Sequence, residues 1–408
     1  MKRLLILIFV CILGISCKEK KKITDVFSVK TIKSPTLAVS MQPFLFSNNG
    51  TLFMSYTQQA NDSVYTLKFS SLAGNKWTAP TEIANGKDWF VNWADFPAIA
   101  VNKSNMMAHF LQKSDPATFA YDVHATVSND HGKHWNDDFI LYTDSTKTEH
   151  GFVTMLPYKN DSFFVTWLDG RNTGGGSHSD EHSSSGAMNI RTATVLPSGE
   201  VIEDTLVDDK TCDCCQTGAA ITPNGPIIVY RNRTDDEVRD IYISRWVAGS
   251  WTSPMPINND HWVINGCPVN GPKAASFENT LAVAWFTAAD NTPKVNLAFS
   301  KDNGAHFNTP IQIDNGKPIG RVDVAFLDAE NVLVSWMEST DTDAELKVVK
   351  VGLDGIKQKD VTITALSGSR KSGFPQLEIV NNTVYMAWND INQEETTIKT
   401  VSIPDSAF

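Results

Sequence analysis

Apolar residues along this 408-residue chain fall in short runs, and the runs recur. Seven segments read LFMSY, MMAHF, FFVTW, PIIVY, LAVAW, VLVSW and VYMAW, ending in Tyr56, Phe110, Trp167, Tyr230, Trp285, Trp336 and Trp388. These aromatics stand roughly 50 to 60 residues apart, a spacing that signals a structural repeat. A partner run precedes each segment: QPFLF, FPAIAV, GFVTML, TGAAIT, NGPKAAS, RVDVAFL and GFPQLEI. A third run such as VYTLKFS, VHATVS or VNLAFS follows most of them, often with a fourth. Four short strands separated by turn residues predict a propeller blade. The near-continuous apolar character of the inner strands agrees, since neighbouring blades cover both faces. Helical periodicity of useful length is missing after the N-terminus.

The prediction is therefore an all-β fold, a β-propeller of seven four-stranded blades, with six blades or a stack of sandwiches as alternatives. The last unit, Gly373 to Ile403, lacks an outer strand. The segment VFSVKTI, with Phe27 inside it, is expected to supply that strand and close the ring, which removes exposed sheet edges.

The N-terminus changes where such a propeller would work. Lys2 and Arg3 precede an apolar run from Leu4 to Ile15, too short for a bilayer span but suited to export. Ser16–Cys17 resembles a bacterial lipoprotein cleavage site. The expectation is a signal peptide over 1–16, Cys17 as the lipidation site, a tether over 17–24, and one propeller domain over 25–408. Such a protein is exported to the cell envelope and touches membrane only through its lipid, plain secretion being the alternative. A formal charge of -11 disfavours nucleic acid as a partner. A monomer is expected.

Two turns carry a more specific pattern. SNDHGKHW (Ser128, Asp130, Gly132, Trp135) and SKDNGAHF (Ser300, Asp302, Gly304, Phe307) both read Ser-x-Asp-x-Gly-x-x-aromatic. The Asp can accept turn amides, the Gly can take positive φ, and the aromatic can plug the blade. This resembles the Asp-box of the sialidase superfamily, which implies a propeller. In that family the chemistry lies at the end of the central channel, with an arginine triad, a Tyr–Glu pair and an acid/base Asp. MQPFLF stands here where the family carries Arg-Ile-Pro, so no sialidase residue is carried over.

In a propeller, the loops leading into inner strands and those leaving second strands emerge on one face. Here the first set carries Asp95, Glu149, His150, three cysteines, Cys267, Arg321, Asp323 and Arg370. The second carries Asp169, Arg171, Tyr230, Arg231, Arg233, Asp290, Glu338 and Asp390. Arginine suits bidentate capture of carboxylate or sulfate. Arg171, Arg231, Arg233, Arg321 and Arg370 are thus the expected substrate-binding residues, and His150, Asp95, Tyr230 and Asp323 the expected catalytic ones. The opposing expectations are an internal Asp169–Arg171 pair and a salt-bridged hairpin over YRNRTDDEVRD. The Gly/Ser-rich stretch containing His178 and His182 reads as a lid.

TCDCCQTGAA places Cys212, Cys214 and Cys215 in four positions. A disulfide from this trio to Cys267 is the preferred expectation, with copper or zinc on the four thiols as the alternative. Redox or nucleophilic catalysis stands third. No cofactor is otherwise required. Three functions compete: a glycosidase or polysaccharide lyase acting on an acidic sugar, a non-catalytic glycan- or protein-binding propeller, and a metal-thiolate protein.

Overall fold

The structure is a computed structural model that describes residues 29–37, 39–61, 63–174, 186–392 and 395–408. Cys17, Phe27, the leader and the expected lid with His178 and His182 lie outside those residues. Seven separate antiparallel sheets are present among the described residues, each built mainly from strands that follow one another in the chain. Their inner strands are Ser40–Asn48, Ala98–Asn102, His150–Pro157, Gly218–Thr222, Lys273–Phe277, Pro318–Phe326 and Gln376–Val380, which begin blades 1 to 7. Among the described residues helix is confined to short 3-10 turns.

The ring closes as the sequence suggests. Lys30–Ile32 pairs antiparallel with Glu395–Pro404, matching Lys30 to Ser402 and Ile32 to Thr400. The seventh blade thereby takes its outer strand from the N-terminal side.

The repeated aromatics fill the spaces between blades. Trp167, Trp285 and Trp336 are almost wholly buried. Each finds a carboxylate for its indole N–H. Trp167 donates to Asp169 Oδ2 at 3.0 Å, Trp285 to Asp260 Oδ2 at 2.7 Å, and Trp336 to Glu338 Oε2 at 2.6 Å. A buried indole without a partner would cost about 1–3 kcal/mol. Asp169 and Glu338, read from sequence as rim carboxylates, thus also hold the blades' own tryptophans.

Both Ser-x-Asp-x-Gly turns have the expected hydrogen bonds. Gly132 N donates to Ser128 Oγ at 2.9 Å, while Lys133 N and His134 N donate to Asp130 Oδ1, each at 3.0 Å. Gly304 N donates to Ser300 Oγ at 2.9 Å and His306 N to Asp302 Oδ1 at 2.9 Å. Gly132 needs to be glycine for two reasons: its φ is +76°, and a Cβ there would lie 2.5 Å from Phe69 Cζ.

The inner strands surround a central channel of about 440 Å³. Small side chains such as Ala98, Ala219 and Ala275 keep it open, and the ionisable side chains of Asp95, Lys273, Asp323 and Glu378 line its wall.

Candidate functional site

The loops do gather at one end of the channel, but the depression expected there is filled. The segment leading into blade 2, residues 87–97 (KDWFVNWADFP), crosses the mouth. Gln42 Nε2 in blade 1 donates to Asn92 O at 2.7 Å, and Gln216 Nε2 before blade 4 donates to Ala94 O at 2.7 Å. Trp93 stacks on Phe374 at the start of blade 7, 5.8 Å between centroids. Arg321 of blade 6 stands 5.1 Å over the same indole. The plug is thus tied to blades around most of the ring.

Asp95 fastens the plug from below. Its Oδ1 accepts Phe152 N at 2.8 Å and its Oδ2 accepts the Tyr121 hydroxyl at 2.9 Å. The same hydroxyl reaches Glu149 Oε1 at 2.8 Å. Burial pushes the Asp95 carboxyl up to about 8, against the hydrogen bonds from Phe152 and Tyr121, with the Glu149 charge adding to the rise. Burial and the two carboxylates hold the Tyr121 phenol well above its usual value, so it stays protonated as the donor between them. Tyr121 was invisible as a site residue because it sits within an ordinary third-strand run, FAYDVHATVS.

His150 is fully buried at the start of blade 3. Its ring stacks on Tyr142 at 4.0 Å, and its Nε2 lies 3.3 Å from Asp144 Oδ2 and 3.6 Å from Asp169 Oδ1. Arg171 grips Asp169 with Nε at 2.7 Å and Nη2 at 2.6 Å, and Nη2 also reaches Asp144 Oδ2 at 3.2 Å. The expected Asp169–Arg171 pair is formed, with Asp144 as an added member. Burial raises the Asp144 carboxyl, but hydrogen bonds from His150 and Thr146 outweigh it and hold the group below the ordinary range.

The remaining arginines separate into bound and exposed. Arg231 is buried and donates to backbone carbonyls: Arg239 O at 2.6 Å, Asn270 O at 2.8 Å and Phe286 O at 2.7 Å. Its guanidinium lies 4.7 Å over Trp262. Arg233 pairs with Glu237 at 2.7 Å and Asp213 at 3.2 Å, and Glu237 also takes Arg239 at 2.7 Å. This is the salt-bridged hairpin. Arg321 donates to Gly373 O and Ser369 O, both at 3.0 Å, and burial together with nearby Arg370 lowers it to about 10. Arg370 alone of the five is exposed, 5.8 Å over Trp93. It makes no ion pair among the described residues.

Tyr230 and Asp323 also take internal partners. The Tyr230 hydroxyl donates to Asp208 Oδ2 at 2.6 Å, and burial raises the phenol well above its usual value. Asp323 lies in the channel wall, accepting Leu377 N and Val324 N at 2.9 Å each, so it bridges blades 6 and 7. Burial raises it as well as its neighbour Glu378, the latter to about 7. Ser47 Oγ donates to Glu378 at 2.8 Å.

Among the described residues the four cysteines, Cys212, Cys214, Cys215 and Cys267, are thiols with no disulfide among them. The bridge expected between the trio and Cys267 is not formed. Instead the sulfurs of Cys212, Cys214 and Cys215 lie within 4.8 Å of one another, and Cys267 meets Cys214.

Solved structures carry the same architecture. No family model matches the chain, and no curated protein matches it. A polysaccharide lyase, Uly1, aligns with a TM-score of 0.53 at 10% identity, over 89% of this chain and 90% of that one. A phage phi92 endosialidase gives 0.49 at 9% identity, over 93% and 69% of the respective chains. A protein of unknown function from Dyadobacter fermentans gives 0.49 at 13%, over 76% and 94%. The fold is a seven-bladed β-propeller, and Uly1 shares its overall architecture. At such identities the likeness extends to this propeller's fold and not to its chemistry.

Proposed function

We propose that this propeller binds an acidic glycan across its plugged face, with Trp93 and Arg370 as the contact residues. One observation carries the reading: the exposed Arg370 lies over the half-buried indole of Trp93 in the plug. The indole offers a flat apolar surface for a sugar ring. The guanidinium beside it can pair a carboxylate or sulfate through two parallel hydrogen bonds. Lys371, the next residue, is also exposed, so two cations stand side by side on this segment in a chain of net charge -11. An anion is favoured there more than anywhere a carboxylate dominates.

The fold supports a role with glycans through its likeness to Uly1, named as a polysaccharide lyase. His150 and Tyr230 are buried against their own partners, which favours recognition over bond cleavage. Calorimetric titration with uronate-containing, sialylated and neutral oligosaccharides tests the reading, with product analysis on the same mixtures. Acidic oligosaccharides should bind, Arg370→Ala should weaken them roughly tenfold or more, and Trp93→Ala should weaken them too. Equal binding of neutral sugars, or an unchanged Arg370→Ala variant, would contradict it. Unsaturated uronate or new reducing ends would show the face to be catalytic.

A further inference from the structure

The cysteine cluster lies beside this face and has no part in the glycan reading. Cys212 follows the outer strand of blade 3, Val201–Thr211, and its N–H is held by Arg231 O at 3.0 Å. The chain then turns at once through Asp213 and Cys214 to Cys215, ahead of the inner strand Gly218–Thr222. That tight turn folds three consecutive thiols inward. Their sulfurs all lie within 4.8 Å of one another, and Cys212 Sγ stands 3.5 Å from Cys215 Sγ. Cys267, from the loop before blade 5, reaches Cys214 at the exposed edge but stands outside the group of three sulfurs that share the 4.8 Å spacing.

Those separations suit a shared ion. A disulfide needs sulfurs about 2.05 Å apart, well short of what is seen. Tetrahedral thiolates about 2.3 Å from a zinc ion stand about 3.8 Å from each other; the Cys212–Cys215 separation of 3.5 Å is near that value, and Cys214 lies within 4.8 Å of both. Soft sulfur donors select zinc or copper(I) over hard cations.

Charge and burial agree. Four thiolates around a divalent ion carry a net charge of about −2, which a buried site must offset. Two guanidiniums are in place to do so. Arg239 Nη1 donates to Cys212 Sγ at 3.3 Å, and Arg231, whose own carbonyl accepts the Cys212 N–H, lies alongside. Both Cys212 and Cys215 are almost fully buried. The same two arginines are fixed by groups outside the cluster: Arg239 by Glu237, and Arg231 by three backbone carbonyls. The positive charge is therefore preorganised beside sulfur.

We infer that Cys212, Cys214, Cys215 and Cys267 form a thiolate site for one d10 metal ion, zinc(II) or copper(I), pinned between the incoming loops of blades 4 and 5. Cys212 and Cys215 form its buried base. Cys267 closes the exposed side. The site stands whether or not the plugged face binds a glycan, since no residue is shared between the two.

Full-length protein purified without chelator under reducing conditions should contain one zinc or copper ion per chain by elemental mass spectrometry. The metal found distinguishes the two ions. The thiols of Cys212, Cys214, Cys215 and Cys267, followed by peptide mapping, should resist a thiol reagent until a strong chelator and denaturant are added. Replacing the ion with cobalt(II) should give the intense near-ultraviolet thiolate-to-cobalt band, which reports sulfur ligation independently of any activity. Cys215→Ser should lose that band. Cys267→Ser, at the exposed edge, should keep the fold by circular dichroism and bind the ion at least tenfold more weakly. Peptide mapping that finds these cysteines joined as disulfides would overturn the inference. So would reduced protein that binds neither zinc nor copper(I) on reconstitution, or a Cys267→Ser variant with unchanged metal affinity.

Discussion

Gly151 and Asp95 are packed so closely that a Cβ on Gly151 would lie 1.9 Å from Asp95 Oδ2. The contact sits where the plug segment meets the first residues of blade 3, and the carboxylate there accepts Phe152 N and the Tyr121 hydroxyl. A missing side chain in one blade therefore admits the anchor of the segment that closes the channel mouth.

Gly151→Ala must displace that anchor. Overpacking of this kind costs about 1–3 kcal/mol, and here the loss of two hydrogen bonds to a buried carboxyl accompanies it. Urea unfolding should show a destabilisation of about 2 kcal/mol or more. An unchanged midpoint would mean that the plug is not held through Asp95.

Asp95 also makes stability depend on pH. Its folded value, about 8, lies above the ordinary 3.8, so the folded chain holds this proton more tightly than the unfolded one. The stability it contributes is fully present below the unfolded value and is lost as pH rises through about 8. Glu378, raised to about 7, acts with the same sign. The melting temperature should therefore fall from about pH 5 to pH 9 through these groups. In Asp95→Asn the new amide can donate to the Tyr121 oxygen while its carbonyl still accepts Phe152 N. That variant should fold and show a shallower fall over the same range.

Arg231 is expected to matter for folding more than for ligand binding. Truncation to Ala leaves the carbonyls of Arg239, Asn270 and Phe286 without a donor in a buried place. The cost should be about 2–4 kcal/mol. Lys, with a single ammonium in place of a planar fork, should recover only part of it. Chemical denaturation of both variants reads this directly, and a stable Arg231→Ala protein with weakened glycan binding would assign Arg231 to the ligand instead.

The sequence made the blades legible because each depends on local signals: an apolar run, a turn, and an aromatic that fills the gap to the next blade. Closure by an N-terminal strand was legible from the unit that lacked one. The site was less so. Arg231 and Arg321 are held by backbone carbonyls, and a carbonyl partner leaves no mark in the residue types around it. Arg171 and Arg233 did carry such a mark, in the acids beside them, and both form the internal pairs those acids suggested. The plug escaped notice because WFVNWADFP reads as one more connecting loop. What makes it span the mouth is its contact with Gln42, Gln216 and Phe374, residues far away in sequence. The cysteine trio announced itself by spacing, yet only the folded turn shows the three sulfurs within 4.8 Å of one another.

The most direct test of the account is a crystal structure of the protein with a uronate-containing oligosaccharide. The account predicts a sugar ring against Trp93 with its carboxylate on Arg370. A sugar seated instead within the central channel beside Lys273, leaving Trp93 and Arg370 untouched, would contradict it.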